Sequence, residues 1–558
     1  MCRWRCHTST VPSPLLLCGV SHVKEEKHKA ASDTREILVP HFEGEKFTPP
    51  FLALVSAVVG GLLFHLAFDP YGLWGLLPLA LGALYFASFT RRWVVAFVSG
   101  LLFGTSAFIP LFSWASIYAG LGPHLALAVF EALFIAAFSV LARFILVRRG
   151  IRFSSSVGIA CLWAMVEFAR SSVPWGGLSW GMSAFAYAES PLLNFGPWLG
   201  VTGLGAVSGL LGAYVLSTAC ALTFRRARGS NGMHAVWPAS VAIILVLFAL
   251  VTPRPANSVD SGHHSIRVAG IQGNIERPKA GSYYIPDTMF ANHVKQMREF
   301  LASGGHAQLV VWPEDSTGWD VQRKPERMEA LKELADEAGA PILVGTQHPN
   351  GTQARFNTSV LVDEKGPTGQ EYTKRHPVPF GEYIPQRDFF SKITDKVSLV
   401  DRDMTPGNKV GVLDVSGAKV GVLICFEIAY EQSVADTVNA GAELLFVQSN
   451  NALFLDSHES IQQLAQAKVL AVISGRSVVH VSTVGDSAIF TPEGRRLTGL
   501  DHWTEGSMVA DVPVRTGLTP AMQHGDVIKG IIAALAGVVL LASVIAPPRT
   551  IKERRSRS

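Results

Sequence analysis

The chain has 558 residues, of which 48% are hydrophobic and only 16% charged, with a formal net charge of +4. So few charges exclude a chain wholly dissolved in water. So small a surplus of positive charge gives no electrostatic case for nucleic acid, and none is expected as a partner.

Residues 1–50 come first. "PSPLLLCGV" is a short apolar run without the small residues that a lipoprotein cleavage site needs before its cysteine, and "SHVKEEKHKAASDTREI" is polar and charged. A cytoplasmic, disordered extension is expected there. Long apolar runs follow at about 51–68, 72–89, 93–115, 124–147, 155–171, 198–223 and 235–252, and an eighth at 527–546. Crossing a bilayer core takes about 20 residues, a length the first, second and fifth runs barely approach. Backbone polar groups must be satisfied inside lipid, so all eight are predicted helices. Residues 51–253 thus read as a membrane domain of seven helices, 526–547 as the eighth and 548–558 as a basic cytoplasmic tail.

Charge tests the count. Arg91–Arg92, Arg148–Arg149 with Arg152, Arg225–Arg226 with Arg228, and the tail "KERRSRS" follow runs two, four, six and eight. Under the positive-inside rule all four fall in the cytoplasm if the N-terminus is cytoplasmic. Residues 254–525 then lie outside. Within the spans, His65, Glu131, Glu167 and Arg170 are polar, and Glu167 and Arg170, three apart on one face, suit pairing with each other. Loop 171–196 is rich in aromatic residues and suits the membrane interface.

Between 254 and 525 short apolar strands alternate with charged, helix-like stretches, the pattern of an α/β domain. Of six cysteines (Cys2, Cys6, Cys18, Cys161, Cys220, Cys425), only Cys425 belongs to this domain. It has no partner there for a disulfide, so it is either buried filler or a thiol in use. Charged residues at strand ends offer the means to activate it. "AQLVVWPEDSTGW" presents Glu314, "EYTKRHPVPFGEYIP" presents Lys374 and then Glu382, and "GVLICFEIAY" presents Cys425 followed by Glu427. A carboxylate to take the thiol proton, a thiolate to attack an acyl carbon and a lysine to stabilise the oxyanion make a coherent chemistry. Each residue also has a plainer reading: Glu314 as a helix-capping acid, Lys374 in a solvated basic face with Arg375 and His376, Glu382 in a turn. Asn450 and Asn451 in "VQSNNALF" suit loop capping and pocket lining equally.

With "WPED", "KRHPVPFGEYIP" and "ICFE" in this order, the domain resembles the nitrilase, or carbon–nitrogen hydrolase, superfamily. That resemblance implies an α-β-β-α sandwich with a Glu–Lys–Cys triad. Eight spans with the domain inserted before the last resemble, more narrowly, the apolipoprotein N-acyltransferase family, over about residues 50–546. The resemblance makes Glu314 the general base, Lys374 the oxyanion-stabilising lysine and Cys425 the nucleophile, with Glu382, Glu427, Phe426, Asn450 and Asn451 supporting or lining the pocket. Phe426 stands where the family often has tyrosine. "ERPKAGSYYIPD", after "IQGNI", lacks a tryptophan that some members carry, leaving Tyr283 or Tyr284 nearby. Implied is acyl transfer from a phospholipid donor, through a cysteine thioester, to the α-amine of a diacylglyceryl-modified apolipoprotein. It would occur at the outer face of the cytoplasmic membrane, with neither metal nor organic cofactor. Two other functions fit the residues alone: a membrane-tethered amidase acting on a soluble substrate, and a transport or lipid-binding protein with a degenerate external domain.

Overall fold

A computed structural model describes residues 47–228, 233–253, 265–278 and 287–545. The N-terminal extension up to residue 46, Tyr283, Tyr284 and the basic tail lie outside the described residues. The first seven apolar runs form helices α1 (Pro50–Leu66), α2 (Leu76–Ser88), α3 (Trp93–Leu111), α5 (Leu121–Arg149), α6 (Phe153–Arg170), α7 (Gly196–Arg228) and α8 (Met233–Val251), with a short α4 (Trp114–Ala119) interposed. Small residues let these helices approach closely. Gly100 and Gly104 of α3 lie against α5, where a Cβ on Gly100 would come within 2.6 Å of the Ile135 carbonyl oxygen. Large apolar side chains such as Phe51, Trp93, Leu121 and Phe153 are exposed on the outside of the bundle, as lipid contact allows.

The charged residues Glu131, Glu167 and Arg170 of the bundle are satisfied, though not as the sequence suggests. Arg170 pairs with Glu131 of α5 at 3.2 Å instead of with Glu167. It also donates to the carbonyls of Leu178 at 3.1 Å and Trp180 at 2.8 Å. Glu167 accepts from the amide and the hydroxyl of Ser183, both at 2.7 Å. The reason is the loop after α6, which folds back and offers these buried charges backbone partners that spacing along one helix does not reveal.

The α/β domain adds helices α9 (Thr288–Ala302), α10 (Pro325–Ala338), α11 (Arg387–Phe390), α12 (Glu431–Asn439) and α13 (Glu459–Ser474). Strands β1 (Ser265–Gln272), β2 (Leu309–Val311), β3 (Ile342–Asn350), β4 (Ala354–Asp363), β5 (Gly366–Thr373) and β6 (Asp403–Met404) belong to one sheet, closed on its other edge by β13 (Gly506–Pro513). The second sheet holds β7 (Val412–Val415), β8 (Ala418–Ile424), β9 (Leu444–Ser449), β10 (Ser477–Ser482), β11 (Ser487–Phe490) and β12 (Arg496–Leu500). The sheets run β13-β1-β2-β3-β4-β5, with β6 beside β4, and β12-β11-β10-β9-β8-β7.

Val268, Val311, Val422, Phe446 and Val479 meet between the sheets in an apolar core. Helices α9 and α10 cover the outer face of the first sheet with Met297, Leu331 and Leu334. Helices α12 and α13 cover the second, giving the layers α-β-β-α. Their far side does not face water. Phe426, Val434, Leu470 and Ile473 join Phe64, Trp114, Trp180 and Leu193 of the membrane domain in one apolar cluster. The chain then leaves through α14 (Pro520–Ile545), the eighth apolar helix. Among the described residues, four helices are long and apolar enough to cross a membrane: Trp93–Leu111, Leu121–Arg149, Pro191–Cys220 and Pro520–Ile545.

Candidate active site

Three strand ends meet. β8 runs its buried residues straight into Cys425, which has φ +54°, a left-handed conformation that costs a non-glycine residue free energy and turns the chain sharply. Cys425 itself is only 8% exposed. Glu427, wholly buried, holds the turn by accepting from the Ile424 amide at 2.8 Å. The same carboxylate accepts from the Tyr372 hydroxyl at 2.8 Å and from the amides of Arg375 at 2.8 Å and His376 at 3.0 Å. It therefore ties the end of β5, where Lys374 sits, to the turn that carries Cys425.

Lys374 is wholly buried, and its ammonium lies 2.6 Å from Glu382 and 3.4 Å from Glu314. Glu382 is held in turn by the Val378 amide at 2.7 Å. Glu314 follows β2 and "WP"; Asn357 donates to its Oε1 at 2.7 Å and the Asn450 amide to its Oε2 at 3.0 Å. A buried charge needs such partners, and this one has three.

Burial pushes Glu314 up to about 7, against the pull of the Lys374 charge. Burial also works against the charged form of Lys374, but the Glu382 and Glu314 carboxylates outweigh it and hold the lysine well above its ordinary value. Burial raises the Cys425 thiol well above its usual value, the Glu314 charge raises it further and Lys374 opposes both. The resting site is a protonated thiol beside a carboxyl poised near neutrality and a permanent cation. Such a set can move one proton and stabilise one developing negative charge.

All the sequence-predicted residues gather here, in different ways. Asn450 contributes its backbone amide, while its side chain accepts from the Ala452 amide at 3.3 Å and so caps its own loop. Asn451 lies behind the site, bonded to Glu459 at 2.6 Å and Gln463 at 3.1 Å. Phe426 stacks on Trp180 of the membrane domain, with centroids 4.9 Å apart, and meets Trp114 edge-on at 6.5 Å. Asn357, Tyr372, Gln463 and Trp180 were not legible as site residues. Asn357 and Tyr372 sit inside strands, and the other two reach the site from other parts of the chain. The string "GLSWG", Gly177–Gly181, matches the Gly-x-Ser-x-Gly pattern of a serine nucleophile, but it lies in the loop after α6 and not between a strand and a helix.

Comparison with known proteins agrees with both halves. Residues 267–520 match the carbon-nitrogen hydrolase family and residues 60–214 the apolipoprotein N-acyltransferase N-terminal domain. An apolipoprotein N-acyltransferase of Mycolicibacterium smegmatis is 30% identical over 518 residues, covering 88% of this chain and 85% of that one. One from Geobacter metallireducens is 26% identical, covering 92% and 98%. A solved amidase from Nesterenkonia sp. is 19% identical, covers 49% of this chain and 98% of that one, and superposes with a TM-score of 0.36. With a membrane domain of the matching kind, a carbon–nitrogen hydrolase domain packed against it and relatives alike over most of both chains, this chain belongs to the apolipoprotein N-acyltransferase family.

Proposed function

We propose that this protein performs the N-acylation step of lipoprotein maturation in the cytoplasmic membrane, with Glu314, Lys374 and Cys425 as its catalytic triad. The observation that carries the reading is the meeting of a thiol, a carboxyl and a buried ammonium from three separate strand ends, on the face of the domain that packs on the membrane helices. In the first half-reaction Glu314 takes the Cys425 proton and the thiolate attacks an ester carbonyl of a phospholipid. Lys374 donates to the oxyanion. The ester C–O bond breaks, and the departing lysophospholipid oxygen takes the proton back from Glu314, leaving a thioester. In the second, the α-amine of a diacylglyceryl-cysteine attacks the thioester. Glu314 takes the amine's proton, the C–S bond breaks, and the thiolate is reprotonated as the amide leaves.

The eight apolar helices are read as eight spans. The alternating arginine clusters support an α/β domain on the outer side, where its site opens toward the lipids that carry both substrates. Incubation with phospholipid alone is expected to add one acyl chain to Cys425, labile to neutral hydroxylamine. Cys425→Ser is expected to abolish both the adduct and transfer. An adduct mapping to another residue would refute the nucleophile assignment.

A further inference from the structure

Cys425 has a further polar neighbour outside the triad. Gln463, on α13 and wholly buried, places its Nε2 3.6 Å from the Cys425 sulfur, an ordinary separation for a donor to so large an atom. Which end of an amide faces a sulfur is settled by what the other end meets. Here the Gln463 Oε1 accepts from Asn451 Nδ2 at 3.1 Å and lies 3.1 Å from His480 Nε2. The Asn451 donor on the oxygen leaves only N–H to point at the thiol. With that oxygen fixed by Asn451, the neighbouring His480 ring suits a proton on Nε2, which also lies 3.2 Å from the Ser449 hydroxyl, and burial keeps the ring neutral by lowering its pKa to about 4. Asn451 is fixed too: its Oδ1 accepts from the Ser482 hydroxyl at 2.5 Å and its Nδ2 donates to Glu459 at 2.6 Å. The amide of Gln463 is thus held at its oxygen by Asn451, which the Ser482 hydroxyl orients in turn.

We infer that Gln463 is a further catalytic residue: its amide N–H donates to the Cys425 sulfur, stabilising the thiolate and setting its direction of attack, while Asn451 and His480 act as positioning residues that hold the amide. The inference rests on Cys425 being the nucleophile. Its chemical sense is plain. Glu314 makes the thiolate but, once protonated, does nothing to keep it, and Lys374 is shared with the oxyanion and with Glu382. A neutral donor from α13 lowers the free energy of the sulfur anion without drawing the lysine from its other task. The groups whose charge bears on the sulfur are Glu314, Lys374, Glu382 and Glu459. A neutral change at position 463 leaves all four in place.

The test uses the purified full-length chain in detergent. The rate of iodoacetamide alkylation at Cys425, followed by peptide mass spectrometry, is measured across pH for the native protein, Gln463→Leu and the isosteric Gln463→Glu. Loss of a hydrogen bond to a charged group is expected to slow alkylation at pH 7 about tenfold in the leucine variant and to shift its profile upward by about one unit. The shift should be larger for Gln463→Glu, which sets an acceptor against the sulfur. Single-turnover acylation by phospholipid should fall in parallel. Wild-type alkylation profiles in both variants would overturn the inference, as would lost acylation with an unmoved profile, which marks a merely structural residue. Cys425→Ser run alongside separates the two levels. An acyl adduct surviving that change sinks the nucleophile reading, whereas an adduct on Cys425 with normal Gln463 variants sinks this inference alone.

Discussion

Lys374 is wholly buried between two carboxyl groups, 2.6 Å from one and 3.4 Å from the other. Replacing it removes the proposed oxyanion donor and leaves Glu314 buried, and Glu382 partly so, without their shared cation. Lys374→Ala is expected to slow acyl-enzyme formation by about 10²–10³, the usual consequence of losing such a donor. A normally inserted protein with near-native acylation would make the lysine structural. Glu314, pushed up to about 7, predicts the pH dependence. A base must be ionised to act, so the acylation rate should climb as pH rises through about 7 and fall toward tenfold for each unit below it. Glu314→Gln should abolish that limb along with the activity, and a wild-type acid limb in this variant would assign the titration elsewhere. Glu314, Lys374, Glu382 and Cys425 could be picked out from sequence because each is a chemically loaded residue just after a strand or in the turn that follows one. Gln463 could not. It lies in an ordinary helical stretch, "SIQQLAQA", and acquires its role only where α13 crosses behind Cys425.

At the level of elements, the apolar runs announced the helices, because a backbone surrounded by lipid over such lengths can satisfy its polar groups only within itself. Their breaks were less visible. The helix α7 changes course at Gly200, with φ +68° and ψ −174°, a backbone region open essentially to glycine alone. Just past the kink, the Val201 amide donates to Glu431 of α12 at 2.6 Å, so an acid of the α/β domain caps the restarted membrane helix. A Cβ on Gly200 would stand 2.4 Å from that same carboxylate oxygen. Gly200→Ala is therefore expected to destabilise the junction by about 1–3 kcal/mol through backbone strain alone, and more through the lost cap. Limited proteolysis at the boundary between the domains would show it, and unchanged protease resistance would show that the kink tolerates a side chain. Neither the kink nor the cap leaves a mark in the sequence beyond one glycine among 51. Likewise, the pairing of Arg170 with Glu131 depends on how α5 and α6 lie together, which spacing within α6 cannot report.

For the whole molecule, the eight-span arrangement predicts that a reporter active only outside the membrane works when fused near Ser303 and fails after Arg555. The opposite pattern at either site would break the topology. The fold class was legible because the two halves of the chain obey different periodicities; their contact was not, since nothing in the pattern of α12 and α13 separates a face turned to water from one turned to another domain. That contact places Cys425 one residue from a phenylalanine stacked on the membrane domain. The proposed reaction therefore runs in two dimensions. Its substrate concentrations are mole fractions within a film, and bulk volume does not enter the rate law. At fixed amounts of enzyme and lipid substrate, adding an inert neutral detergent should slow turnover in proportion to the dilution of the surface. Doubling the water around the same micelles should leave the rate unchanged.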